Sequence, residues 1–348
     1  MMRAAVLEEI GSLRLKQVPV PEPGPGEMLV RIEANTICGT DLRIISGAKT
    51  AGVRPGVILG HEFAGRVAAV GRGVDGVPVG AQVTCSIVVS CQRCRACLSG
   101  REQLCENLVL FGYELDGGLA EYLLVPRIAM DHGNLVVLEK EIPATTLALA
   151  EPVSCCLNGA GQVAVAPGES VVVLGTGPIG LLHIALAKLA GATTILAAGR
   201  EGRLTAATDF GATCAVALTG EALTAEVRER TNGRGADVVI VAVGDLALAN
   251  QALELAAIGG RVNYFAGFPK GKTASIDPNL IHYRELAVTG GSNARRADVR
   301  RAVELLSSGA LDVGRLVTHR FPLAELDAAV TAVARRDGLK VAVMPVAG

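Results

Sequence analysis

Four cysteines, Cys91, Cys94, Cys97 and Cys105, are spaced C-x₂-C-x₂-C-x₇-C within fifteen residues. Thiolates at that density suit one tetrahedral metal ion, and zinc is the usual occupant of an all-sulfur structural site. Disulfides, or bystander thiols, are the competing reading. The chain opens Met1-Met2-Arg3-Ala4, without the charged-then-apolar leader of an exported protein, so a reducing, cytoplasmic compartment is expected and zinc is favoured. A closed four-sulfur site does no chemistry. Cys38, His61 and Glu62 form a second set of possible ligands. One thiolate, one imidazole and one carboxylate leave zinc an open position, as catalysis requires. Residue types alone leave this set ambiguous, because a Cys and a His that far apart can also be unrelated core residues.

Gly175-Thr176-Gly177-Pro178-Ile179-Gly180 reads G-x-G-x-x-G. The motif is weak alone, but here it follows the apolar run Val171-Val172-Val173-Leu174 and opens an apolar helix, the context dinucleotide binding needs. Gly175 permits the tight turn, Gly177 lets a pyrophosphate approach the backbone, and Gly180 lets helix pack on strand. With Pro178 and Ile179 they begin a helix whose N-terminus favours phosphate. An acid about 20 residues on would hold the ribose of NAD. Ala198 and Gly199 stand there, followed by Arg200 and, three residues later, Arg203. Guanidinium groups suit a 2′-phosphate, so NADP is favoured and NAD stays open.

The elements that must position these groups follow from the rest of the chain. Its 348 residues suffice for two domains, half of them hydrophobic by count. A net charge of −1 gives no electrostatic case for nucleic acid or an anionic membrane, and the lack of Trp leaves little for base stacking. Val171 to Ala192 is mostly apolar but carries Pro178, His183, Lys188 and several Gly, and reads as a core strand and helix. Up to about residue 150 short strand-like segments alternate with Gly and Pro, as in Met28–Ile32 and Phe63–Val70. From Ser170 apolar strands alternate with helical patterns, which argues an α/β unit with a parallel sheet. The tail reads as helix, loop, helix and a last strand over Lys340–Met344. Cys85, Cys155, Cys156 and Cys214 lack metal spacing and read as small core hydrophobes.

Over nearly its full length the chain resembles the zinc-dependent medium-chain dehydrogenase/reductase family. The matching pieces are Cys38-Gly39-Thr40-Asp41, Gly60-His61-Glu62, the four-cysteine lobe, Asp116-Gly117-Gly118-Leu119-Ala120-Glu121-Tyr122 with Val125-Pro126, and the Gly175–Gly180 loop, in that order. The resemblance implies a GroES-like β-rich catalytic domain over 1–152, a Rossmann domain over 153–290, and a return to the catalytic domain over 291–348. It implies two zinc ions per chain. The catalytic one would be held by Cys38, His61 and a carboxylate: Glu62 at the position that swaps on and off the metal, or Glu151. Leu149-Ala150-Glu151-Pro152 resembles the polyol and sorbitol dehydrogenase branch. Thr40 would accept the alcohol's proton. Many relatives carry a His three residues after that Thr; here it is Arg43, which exchanges no proton near neutral pH but could bind an anion. The expected reaction moves hydride between a secondary alcohol of a polyol or sugar-like molecule and NAD(P), giving the ketone. Alternatives are threonine, butanediol, amino-cyclitol or sugar-phosphate dehydrogenase; a non-catalytic relative would have lost the ligands. Asn293, Arg295 and Arg296 are candidates to face the substrate or to be solvated. The family forms homodimers or homotetramers, commonly by extending the Rossmann sheet, and Leu280–Gly291 is a candidate edge.

Overall fold

Alternation of buried and exposed positions shapes the first 140 residues into short strands. In the computed structural model, which describes residues 1–345, β1 (Met2–Glu9) and β2 (Ser12–Val18) form an antiparallel pair. β3 (Met28–Thr36) and β5 (Glu62–Val70) are the long central strands of a seven-stranded sheet; between them in sequence β4 (Val57–Ile58) joins β1. β6 (Gln82–Cys85) continues that sheet. β7 (Val88–Val89) and β8 (Val109–Leu110) pair as a ribbon flanking the four-cysteine segment. β9 (Tyr122–Val125) pairs with β3, and β10 (Leu135–Val137) with β6. Met28, Val30 and Ile32, two residues apart and so on one face of β3, are buried with Phe63, Val67, Val83 and Leu123. A second core gathers Ala5, Leu7, Ile37, Ile44 and Leu59.

One compact unit comprises Met1–Ser154 and the chain from Asn293 onward; the other is Cys155–Ser292. The second unit holds β11 (Ser170–Leu174), β12 (Thr194–Ala198), β13 (Cys214–Val216), β14 (Ala236–Val241), β15 (Ala256–Tyr264) and β16 (Ala287–Gly290), all parallel in the order β13-β12-β11-β14-β15-β16. β11 and β14 are unbroken Val/Ile/Leu runs, as expected of strands buried on both faces. β12 lies to one side of β11 and β14 to the other, so the strand order reverses at β11, the place where open α/β sheets take ligands. The stretch 171–192 resolves into β11 and the helix Pro178–Leu189, and among the described residues no helix is long and apolar enough to cross a membrane.

After the helix Arg296–Ser307 comes a strand, β17 (Val317–Pro322), where the sequence suggested only a loop. Its pattern is broken by Thr318, His319 and Arg320, which hides a strand from hydropathy. The helix expected from Leu323 starts as a 3₁₀ turn and is α-helical over Leu326–Arg335. β18 (Lys340–Met344) pairs parallel with β17 and antiparallel with β3, closing the first unit's sheet with the last part of the chain.

Inside the second unit His183 is buried, edge-on to Phe265 at 4.7 Å, and neither ring nitrogen has a partner among the described residues. Burial pushes its pKa down to about 3. The unfolded chain binds this proton near pH 6.5 and the folded one near 3, so stability is fully present above about 6.5 and falls by ~1.4 kcal/mol per unit below it. Chemical denaturation at pH 7 and pH 5 is expected to differ by about 2 kcal/mol more in the natural protein than in His183→Leu. An equal difference in the two proteins would refute this assignment.

Candidate active site and metal centres

β3 ends at Thr36, and two residues later Cys38 caps the helix Gly39–Ile45. The Cys38 N–H donates to Asp41 Oδ2 at 2.8 Å, so the Cys-Gly-Thr-Asp run folds back on itself and fixes the thiol beside the strand end. Thr40 stands half-buried in that first turn. Gly60 precedes the second ligand pair with φ +95°, and a Cβ there would lie 2.7 Å from the Leu119 nitrogen. The chain can therefore turn into β5 only with glycine. β5 begins at Glu62, paired directly with Thr36 of β3. One ligand atom each of Cys38, His61 and Glu62 lies within 4.8 Å of the others, so one ion can touch all three.

The other oxygen of Asp41 faces His61 Nδ1 at 3.3 Å, both side chains being nearly fully buried. That is long for a charge-assisted hydrogen bond, but neither atom has a better partner among the described residues. Asp41 thus orients the ring and leaves Nε2 for a metal. Burial is the largest single influence and depresses the His61 pKa, but the Asp41 charge, Tyr113 and hydrogen bonds with Asp41 and Cys38 together hold it well above the usual value. Glu62 is held twice, by the Thr36 hydroxyl and by Lys340 Nζ at 2.6 Å. Burial is the largest single influence and opposes the lysine's charge, but Glu62, together with Cys38 and Glu151, raises its pKa. A thiol, an imidazole nitrogen and a carboxylate within reach of one point are the donor types zinc takes with a position left open, so the residues fit zinc. Glu151 opens the helix Ala150–Val163, half-buried, and its charge is felt by Tyr113 and Lys340.

In the four-cysteine lobe the sulfurs of Cys94 and Cys97 are 3.5 Å apart, and those of Cys94 and Cys105 3.9 Å. A zinc tetrahedron with Zn–S of about 2.3 Å has edges of roughly 3.8 Å. The four ligand atoms gather within 4.8 Å. The N–H groups of Cys91 and Asn107 donate to the Cys105 sulfur, and backbone N–H groups of residues 93 and 94 hold Cys91 down at about 6. These donors favour thiolates. Glu102 in the lobe accepts from the Arg296 N–H at 3.1 Å, while Arg295 pairs with Asp298 at 2.8 Å. Arg296 Nε lies 3.8 Å from the same Glu102 oxygen, while its Nη1 is buried without a hydrogen-bond partner among the described residues.

Gly175 has φ +107°, and a side chain on Gly180 would run into the Gly175 carbonyl. Above Gly177 the nearest atom to an added Cβ is Arg203 Nη1, 3.8 Å away, so the loop is open on the face a pyrophosphate would use. Pro178 is the first helical residue, and the Ile179 carbonyl is reached by the Cys156 thiol at 3.9 Å. Gly199, just after β12, abuts Thr176, which leaves no room there for the acid of an NAD site. Arg200 follows, exposed, and Arg203 is half-buried.

Residues 24–132 match the alcohol dehydrogenase GroES-like domain, and residues 178–308 match the zinc-binding dehydrogenase domain. The chain is 37% identical over 313 residues to L-threonine 3-dehydrogenase of Pyrococcus furiosus, covering 88% of this chain and 87% of that one. The chain belongs to the zinc-binding alcohol dehydrogenase family. This dehydrogenase is also 33% identical over 325 residues to L-galactonate-5-dehydrogenase of Escherichia coli K12, covering 93% of both. A structure described as a zinc-binding dehydrogenase of Sinorhizobium meliloti 1021 bound to NADP superposes with a TM-score of 0.92 at 36% identity over 99% of both chains. The dehydrogenase carries the family's α/β architecture, a β-rich unit and a parallel-sheet unit. Sequence reasoning assigned no role to Asp41, although it lies in the quoted motif, nor to Thr36, Tyr113 and Lys340, which carry no local signal.

Proposed function

We propose that this dehydrogenase oxidises a secondary alcohol of a polyol or sugar-like molecule to the ketone with NADP, and runs the reverse reaction with the same groups. The gathering of Cys38, His61 and Glu62 around one position, with Asp41 behind the imidazole, carries this reading. Bound there, zinc supplies Lewis acidity, so that an alcohol oxygen gives up its proton near neutral pH. Cys38 and His61 hold the ion, with Glu62 or Glu151 as the exchangeable carboxylate. Lys340 and Thr36 restrain Glu62 and keep it from binding too strongly. Thr40 takes the hydroxyl proton and passes it to water, because Arg43 cannot relay it. Gly175, Gly177 and Gly180 would hold the nicotinamide nucleotide, which would supply the hydride acceptor. L-Threonine is a second reading, favoured by the Pyrococcus furiosus relative; threonine and L-galactonate both carry a carboxylate as well as a secondary hydroxyl.

Arg200 and Arg203 hold the 2′-phosphate of NADP. Arg200→Asp is expected to lower the preference for NADP over NAD by about 10- to 100-fold in kcat/KM, from the loss of a charge-assisted contact and the gain of a repulsion. An unchanged preference would remove Arg200 from this role. We further propose a homodimer or homotetramer built on β16. That strand lies at the sheet's edge, with Val288 and the nearby Tyr283 exposed, and an unpaired apolar edge invites a second copy. Initial rates with glucitol, 2,3-butanediol and threonine, each with NAD and NADP on protein of counted zinc content, test the assignment. Two zinc ions without turnover on any alcohol would refute it.

A further inference from the structure

The helix Gly39–Ile45 and the segment that follows it carry two arginines and a lysine whose fates differ. Arg54 is tied down, by Asp116 at 2.8 Å and by the Glu114 carbonyl at 3.0 Å. Arg43 is exposed. Lys49 is half-buried with its Nζ 5.2 Å from the centroid of the Tyr113 ring. Tyr113 is 6% exposed and its ring lies 5.5 Å from that of His61. The ammonium therefore stands one aromatic ring away from a metal ligand. Among the described residues no carboxylate lies within ion-pair distance of Lys49, whereas Lys340, the other lysine near the cluster, is committed to Glu62. The segment is not loose. The Lys49 N–H donates to the Arg43 carbonyl at 2.9 Å, and the Arg54 N–H to the Tyr113 carbonyl at 3.0 Å, which locks lysine and ring into one piece.

A half-buried ammonium without an acid has given up part of its hydration and gained only the weak pull of a π face. An anion completes it. Asp41 and Glu62 are acidic and the Lys340 ammonium is already paired with Glu62, so of the two lysines near the cluster Lys49 is the one without a carboxylate partner among the described residues. We infer that Lys49 is a specificity-determining residue that receives a carboxylate carried by the alcohol substrate a few carbons from its reacting hydroxyl. The substrate is then a hydroxy acid, such as a sugar acid, rather than a neutral polyol. This assignment rests on the dehydrogenase reading above and narrows its substrate class.

Gluconate and glucitol share a carbon skeleton and differ by one carboxylate, and glucitol 6-phosphate offers the other common anion. Calorimetric affinities of all three are measured on the zinc-loaded full chain with NADPH present, so that the alcohols bind without turning over. Gluconate is expected to bind more tightly than glucitol, and Lys49→Met to cut the ratio of the two affinities by about 10- to 100-fold, the range for a hydrogen bond to a charged partner. Lys49→Arg should restore most of that ratio. Equal affinity for gluconate and glucitol, binding of neither, or a ratio unmoved by Lys49→Met overturns the inference; tighter binding of the phosphate than of gluconate overturns the carboxylate. The dehydrogenase reading fails on a separate observation, the absence of nicotinamide reduction with any alcohol.

Discussion

Replacing Cys38 with alanine is expected to lower turnover by more than about 10³-fold and to reduce the zinc content from two ions per chain to one, while the fold survives. The kinetic part follows from the donor set. Without the thiolate, His61 and one carboxylate already shared with Lys340 and Thr36 are left to hold the ion. A Lewis acid that lowers the pKa of bound water to about 7 supplies several kcal/mol of the barrier, and losing it forfeits at least three powers of ten in rate. The structural part follows from where Cys38 sits. It is half-buried at a helix cap, its backbone N–H donates to Asp41, and the hydrophobic core beneath is built by Ile37 and Ile44. The second ion would belong to Cys91, Cys94, Cys97 and Cys105, which share no ligand with the first cluster. Metal analysis, circular dichroism and initial rates on one preparation check all three parts. Normal turnover in Cys38→Ala would refute the catalytic assignment.

Lys340→Met is expected to destabilise the protein by about 3–5 kcal/mol, the cost of leaving one member of a buried ion pair alone. Both side chains are almost inaccessible, at 6% and 1% exposure. Methionine fills much of the lysine's volume, so the loss comes from the stranded Glu62 carboxylate and not from a void. The double variant Lys340→Met/Glu62→Gln removes both charges and should recover most of the loss, because the pair itself contributes little beyond neutralising its own burial. The sign of the pH dependence is fixed by the raised lysine pKa: the contribution is fully present below the ordinary lysine value of about 10.4 and is lost only as pH rises above it. Urea denaturation at neutral pH decides the matter. A double variant as unstable as the single one would show that packing, and not charge, holds this corner.

Parts of the site were legible because their chemistry is contiguous. Zinc ligation by neighbouring thiols needs a loop of fixed length, so C-x₂-C-x₂-C-x₇-C announces itself, and a pyrophosphate turn needs glycine at set steps, so Gly175 to Gly180 does too. β11 and β14 stood out as apolar runs because a parallel sheet is covered on both faces. β17 did not, because its exposed face carries Thr318 and Arg320.

The sequence by itself determined the reaction class, through ligand types, the glycine turn and the order of motifs along the chain. Tertiary structure decided what surrounds them, because strand pairing joins residues with no local relation. Thr36 faces Glu62 across β3 and β5, and Ala342 faces Thr36 across β18 and β3. Lys340, two residues before Ala342, points to the same face and so meets a carboxylate 278 residues away. The stacking of Lys49 on Tyr113, and the engagement of Arg296 by Glu102, arise in the same way. Spacing in sequence can encode a metal site, but the neutralisation of a buried charge depends on which strands lie side by side, and only the folded sheet sets that.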